Sequence, residues 1–187
     1  MKTIVIIAQK GGVGKTTVFN EVAFSLERSS IPINTYDLDG QGGGAHGNSK
    51  TEGAEVTIVD TAGSLTDKIK SYIQASDLVI VPCCATGLDV KPLARIQDVV
   101  KQNLSDGAKV LFVVNRMNRW TTATEFIEWF NKRDFGYAVT LPESEQFRKA
   151  VSLHQSVIDV APKASTAYQD TMKLVNTVRE LIGIPKE

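Results

Sequence analysis

The segment Lys10-Gly11-Gly12-Val13-Gly14-Lys15-Thr16-Thr17 follows the apolar run 3–8 and directly precedes a helix-like stretch. A strand, a glycine-rich turn and a helix in that order commit the chain to folds that present a helix N-terminus at the end of a buried strand. Such a turn cradles phosphate. Gly11, Gly12 and Gly14 let backbone N–H groups approach an anion closely, because no Cβ intervenes. Lys15 is placed to reach β- and γ-phosphate oxygens and Thr16 to offer its hydroxyl to Mg²⁺, with Val13 and Thr17 completing the cofactor-binding set. The common G-x-x-x-x-G-K-[ST] pattern has glycine where this chain has Gln9, and Lys10 adds a second cation at the mouth of the loop.

The remainder of the chain supplies a matching framework. Apolar, β-branched runs at 3–8, 33–38, 55–59, 78–81, 109–114 and 137–140 alternate with helical patterns at 16–29, 65–75, 91–103, 122–132, 143–151 and 165–182. That alternation predicts an α/β fold: a doubly wound, mostly parallel sheet with helices on both faces. The 187 residues suit a single domain spanning 1–187. The stretch 40–53, rich in Gly, Asn, Ser and Thr, reads as a mobile loop. Apolar residues at 42% and charged ones at 22% exclude a disordered or fibrous chain. With 21 basic and 21 acidic residues, any nucleic-acid binding must come from local patches or from a dimer that aligns them. No apolar run approaches the ~20 residues of a membrane span, so a cytoplasmic protein without stable membrane association is expected. Cys83 and Cys84 are adjacent, a poor geometry for an intrachain disulfide, and read as a strand end.

In open parallel sheets ligands bind beyond the carboxyl ends of the strands. Three aspartates fall there: Asp37 and Asp39 in Tyr36-Asp37-Leu38-Asp39, and Asp60 at the end of Val56-Thr57-Ile58-Val59. An apolar strand finishing in aspartate after a phosphate loop is the Walker B arrangement, which holds Mg²⁺ directly or through water. Asp37 is open between the Mg²⁺ side of the site and a structural hydrogen bond. Asn115, closing Val113-Val114, offers a donor and an acceptor side by side, as recognition of a base edge requires, although asparagine also suits a turn.

With its second lysine, the loop resembles the deviant Walker A motif of the ParA/MinD family of P-loop NTPases. Asp37-Leu38-Asp39-Gly40-Gln41 resembles the family's second motif, with Gly40 where proline is usual, and Leu141-Pro142 its late motif. The resemblance implies an ATPase using ATP and Mg²⁺, slow and stimulated by a partner. Lys10 would cross the interface of an ATP-dependent homodimer to the partner's nucleotide, and Lys15 would serve its own. Asp39 would orient the attacking water, Thr16, Asp37 and Asp60 would serve the metal, and Asn115, Arg116 and Pro142 would line the base pocket. Nonspecific DNA and a small DNA-binding adaptor of the ParB/ParG kind are the implied partners, in plasmid or chromosome partition. Arg116, Arg119, Arg148 and Lys149 are the candidate DNA contacts, although Gln146 stands at the family's usual arginine position. Only 20 residues separate Asp39 from Asp60, which resembles the small plasmid-partition ParA proteins such as ParF. A MinD-like membrane regulator, an iron-sulfur carrier and a small-molecule kinase are the rival classes. The tail Ile184-Pro185-Lys186-Glu187, the adjacent cysteines and the second lysine argue against them in turn.

Overall fold

Ile4, Val5, Ile6 and Ile7 are all completely shielded from solvent, so the first strand is covered on both faces, as a central parallel strand must be. The computed structural model describes residues 1–39, 45–62, 67–85, 90–118, 121–132 and 136–187. The elements run β1 (Lys2–Ile6), α1 (Lys15–Arg28), β2 (Ile33–Asp37), β3 (Val56–Asp60), α2 (Asp67–Gln74), β4 (Leu78–Cys84), α3 (Val90–Asn103), β5 (Lys109–Met117), α4 (Thr121–Asn131), β6 (Tyr137–Pro142), α5 (Glu145–Leu153), α6 (Val157–Val160) and α7 (Thr166–Ile182). Six strands pair in the order β2-β3-β1-β4-β5-β6, with every strand pairing parallel.

The two-residue period of the strands sorts side chains onto two faces. Ile4, Ile6, Ile58, Ile80 and Val113 pack with Val18, Val22 and Leu26 of α1 and Leu174, Val178 and Ile182 of α7. Val5, Ile7, Val79, Val81 and Phe112 pack instead with Ile69 and Ile73 of α2, Leu93 and Ile96 of α3, and Phe126 and Phe130 of α4. This is the doubly wound arrangement expected. The chain leaves β1 in one direction for β2 and β3 and returns past it to β4, so strand order reverses at β1. A crevice opens at that point, and the glycine loop follows β1 directly into it.

Parallel pairing carries β4 beyond its apolar run. β4 continues through Cys84, which stands opposite Asn115, and both cysteines are buried. Pro82 is tolerated inside β4 for a simple reason. The last β1–β4 pair is Ile6 with Ile80, and Ile7 N–H donates to the Ile80 carbonyl at 3.0 Å, so the missing N–H of Pro82 removes only the final bond at the end of that ladder.

Of the stretch 40–53 expected to be mobile, residues 40–44 lie outside the described residues, and 45–53 are less free than their composition suggests. Ser49 exchanges both backbone hydrogen bonds with Thr35 on the sheet edge, at 3.0 and 2.9 Å. Asn48 Oδ1 accepts from Asp37 N–H at 2.8 Å, and the His46 ring lies edge-on to Phe24 with centroids 4.3 Å apart. Polar side chains, rather than apolar ones, fasten residues 45–53 and cover the edge of β2.

Candidate active site

Register fixes the carboxylates before any side chain is placed. Ile6 pairs with Asp60 and Asp60 with Asp37, so the ends of β1, β3 and β2 stand side by side where α1 begins. Gly12 and Gly14 take φ of +75° and +97°, turning the chain from β1 into α1. Gly14 is the N-cap of α1 and has no side chain with which to cap it, which leaves the first N–H groups of the helix available to an anion. Val13 anchors the loop from below: 3% exposed, it packs with Ala8 and Cys84.

A cavity of about 260 Å³ lies over this helix start, lined by Gly11, Gly12, Gly14, Lys15, Thr16, Thr17, Asp37, Asp39 and Arg116. Lys15 is only 6% exposed and donates to Asp39 Oδ2 at 2.9 Å. Thr16 Oγ1 donates to Asp60 Oδ2 at 3.1 Å. Asp60 is completely buried, and its second oxygen, Oδ1, has no hydrogen-bond partner among the described residues. Burial pushes the Asp60 carboxyl up to about 6 against the pull of Lys15 and the Thr16 hydroxyl, with Asp37 and Asp39 adding to the rise. Asp37 Oδ1 accepts from Asp39 N–H at 3.0 Å, so Asp37 makes the structural bond that strand alternation allowed while also lining the cavity.

Among the described residues no three His, Cys, Asp or Glu side chains converge as a closed metal cage. Mg²⁺ does not need one, since it is commonly held by one or two protein oxygens plus phosphates and water. The buried, unpartnered Asp60 Oδ1 beside the Thr16 hydroxyl fits that donor set.

A second cavity, of about 320 Å³, shares Gly14, Thr17 and Arg116 with the first and adds Asn115, Pro142, Glu143, Ser144, Phe147 and Arg148. Asn115, 5% exposed, spends one amide proton on the Val13 carbonyl at 3.1 Å, and its Oδ1 accepts from Arg116 N–H at 2.8 Å. One donor and one acceptor position remain for a ligand. Arg116 sits in the β5–β6 bulge at φ +55°, an uncommon backbone for arginine, which turns it toward both cavities.

The remaining sequence candidates are dispersed. Lys10 is exposed and borders a crevice with Pro82, Pro92 and Leu93, on the flank of the loop away from the carboxylates. Arg148 lies at the mouth of the second cavity, largely exposed and paired with Glu145 at 3.1 Å, and Lys149 is exposed beside it. Arg119 lies outside the described residues. Sequence reasoning missed Ser144, Phe147 and Glu143 as cavity lining. Ser144 does carry a readable signal, because as N-cap of α5 it accepts from Gln146 N–H.

Residues 4–157 match the CobQ/CobB/MinD/ParA nucleotide binding domain, CbiA. No curated protein sequence matches the chain. Among solved structures, a variant of Cyanothece McdA in complex with ATP superposes with a TM-score of 0.81 at 16% identity, over 100% of this chain and 98% of that one. A Borrelia burgdorferi putative plasmid partition protein bound to AMPPNP gives 0.72 at 17% identity, over 96% and 99%. MinD from Pyrococcus horikoshii, complexed with Mg-ADP, gives 0.68 at 17% identity, over 97% of each chain. Identities this low speak for the fold alone, but the domain match covers most of the sequence, and the chain belongs to the ParA/MinD-type ATPase family.

Proposed function

We propose that this protein is an ATP-dependent dimerising ATPase of the ParA type, which positions or segregates DNA cargo with a partner that stimulates hydrolysis. The observation that carries the reading is the separation of its two loop lysines. Lys15 is buried in the phosphate cavity, whereas Lys10 is exposed outside it, on the opposite flank of the same loop. One chain needs only the first. A second copy placed face to face brings the partner's triphosphate within reach of Lys10, through a charge-assisted contact that weakens when the γ-phosphate leaves.

Within each copy the helix start and Lys15 bind the phosphates, and Asn115, Pro142 and Phe147 border the base. Thr16 and Asp60 would hold Mg²⁺, which would supply positive charge against the negative charge developing on the phosphates. Asp39 orients the attacking water. Its present bond to Lys15 gives that role a condition, since the carboxylate turns to water only when phosphate claims the ammonium. Arg116, Arg148 and Lys149 are the described candidates for DNA contact, and such contact makes retention on DNA fall steeply with salt.

Light scattering with ATP, ADP and no nucleotide tests the reading. Wild type is expected to dimerise only with ATP, and Lys10→Ala to remain monomeric while still binding nucleotide. ATP-dependent dimers of Lys10→Ala at wild-type concentration would remove the cross-subunit role.

A further inference from the structure

Glu21 is a buried acid that the phosphate chemistry does not use. It lies on α1 one turn beyond Thr17, is 3% exposed, and accepts from the Ser156 hydroxyl and from Val157 N–H at 3.0 Å. Those donors open α6. Thr17, Glu21, Ser25 and Arg28 recur every three or four residues, so they form one stripe of the helix. Three of them meet the C-terminal part of the chain: Glu21 as described, Ser25 by donating to Glu187 Oε2 at 2.7 Å, and Arg28 by pairing with Asp159 of α6. A helix face this polar normally faces water. Here its middle, Glu21 and Ser25, is buried, and their groups are satisfied across the junction.

The fourth member of the stripe, Thr17, is a wall of the second cavity. The facing wall, Pro142, Ser144, Phe147 and Arg148, belongs to β6 and α5. α5 is packed onto α6 and α7 through Ala150, Val157, Ala161 and Ala167, with Phe147 against the same cluster. Close-packed clusters move as units, so whatever sets α6 against α1 also sets Phe147 against Thr17. Burying a carboxylate is costly unless its hydrogen bonds are made, and Glu21 makes them to α6.

We propose, on the nucleotide-binding reading above, that Glu21 is a positioning residue: it holds the α5–α6 wall against the phosphate-loop helix and so sets the fit of the second cavity to a nucleobase. The phosphates are gripped at the other end of Thr17, by the helix start and Lys15, and are indifferent to this fastening.

Calorimetric titration with two probes, AMPPNP and inorganic tripolyphosphate, both with Mg²⁺, separates a role in base fit from a merely structural one. Glu21→Ala is expected to weaken AMPPNP about tenfold, the loss typical of a charge-assisted hydrogen bond, and tripolyphosphate by less than about twofold. Glu21→Gln, which keeps the shape and one acceptor, should fall between wild type and Glu21→Ala. Should Glu21→Ala fail to fold, Ser156→Ala removes one donor and leaves Val157 N–H, and the same selective loss is expected at smaller size. Equal losses for both probes, or none for either, would overturn the positioning role alone. A wild-type chain that binds neither probe would overturn the nucleotide reading and this role with it.

Discussion

Replacing Gly14 with alanine would set a methyl carbon 1.9 Å from Asn115 Nδ2, at a residue whose φ is +97°. The cost has two separable parts. A left-handed backbone costs an L-residue about 1–2 kcal/mol. The contact itself is impossible, so the Asn115 side chain must swing away from the Val13 carbonyl it holds at 3.1 Å. Val13 is 3% exposed, and a buried carbonyl stripped of its donor costs about 1–3 kcal/mol more. The sum, about 2–5 kcal/mol, is a large share of the 5–15 kcal/mol typical of a whole domain. Asn115→Ala removes the obstacle without altering the backbone of Gly14. In that background Gly14→Ala should retain only the backbone part, giving a coupling of about 1–3 kcal/mol in a double-mutant cycle measured by urea denaturation. Strictly additive costs would refute the argument, because they would mean that Asn115 is not the wall against which the loop closes.

Burial raises the Glu21 carboxyl from 4.5 to about 7, and that of Asp60 from 3.8 to about 6. The folded chain then binds more protons than the unfolded one between roughly pH 4 and 7, so stability should fall as pH rises through that window. For Glu21 the span corresponds to at most about 3 kcal/mol. Glu21→Gln should flatten the fall in urea midpoints between pH 5 and 8, and an unchanged slope would contradict the assignment. Asp39→Asn should lower phosphate release about a hundredfold or more while ATP-dependent dimers persist in light scattering; turnover at the wild-type rate would exclude Asp39 from orienting water. Asp60→Asn should raise the Mg²⁺ concentration needed for half-maximal hydrolysis at least about tenfold, and a Mg²⁺ titration that superposes on wild type would displace Asp60 from the metal.

The glycine loop and the six strands were legible because both are local patterns: glycine spacing, lysine position and short buried apolar runs decide them within a few residues. Strand ends were less so. β5 runs on to Met117 because β6 pairs with it beyond a bulge, and nothing apolar in Asn115-Arg116 announces that. α6 escaped because four residues are too few for a helical period, although its capping box, Ser156 with Asp159, is written in the sequence. In the site, residue types gave roles but not partners. An asparagine at a strand end promised a donor and an acceptor, yet that the donor would close on Val13, 102 residues away, follows only from β5 and the loop meeting across the crevice. Glu21 is the sharper case. By periodicity it is one more charged residue on a helix whose apolar members are Val18, Phe19, Val22 and Leu26, and charge there ordinarily means solvent. It is buried because α6 brings a hydroxyl and a backbone N–H to meet it, and those donors come from a segment more than 130 residues later in the chain. A local reading registers the cost of burying such a carboxylate but not the distant donors that offset it.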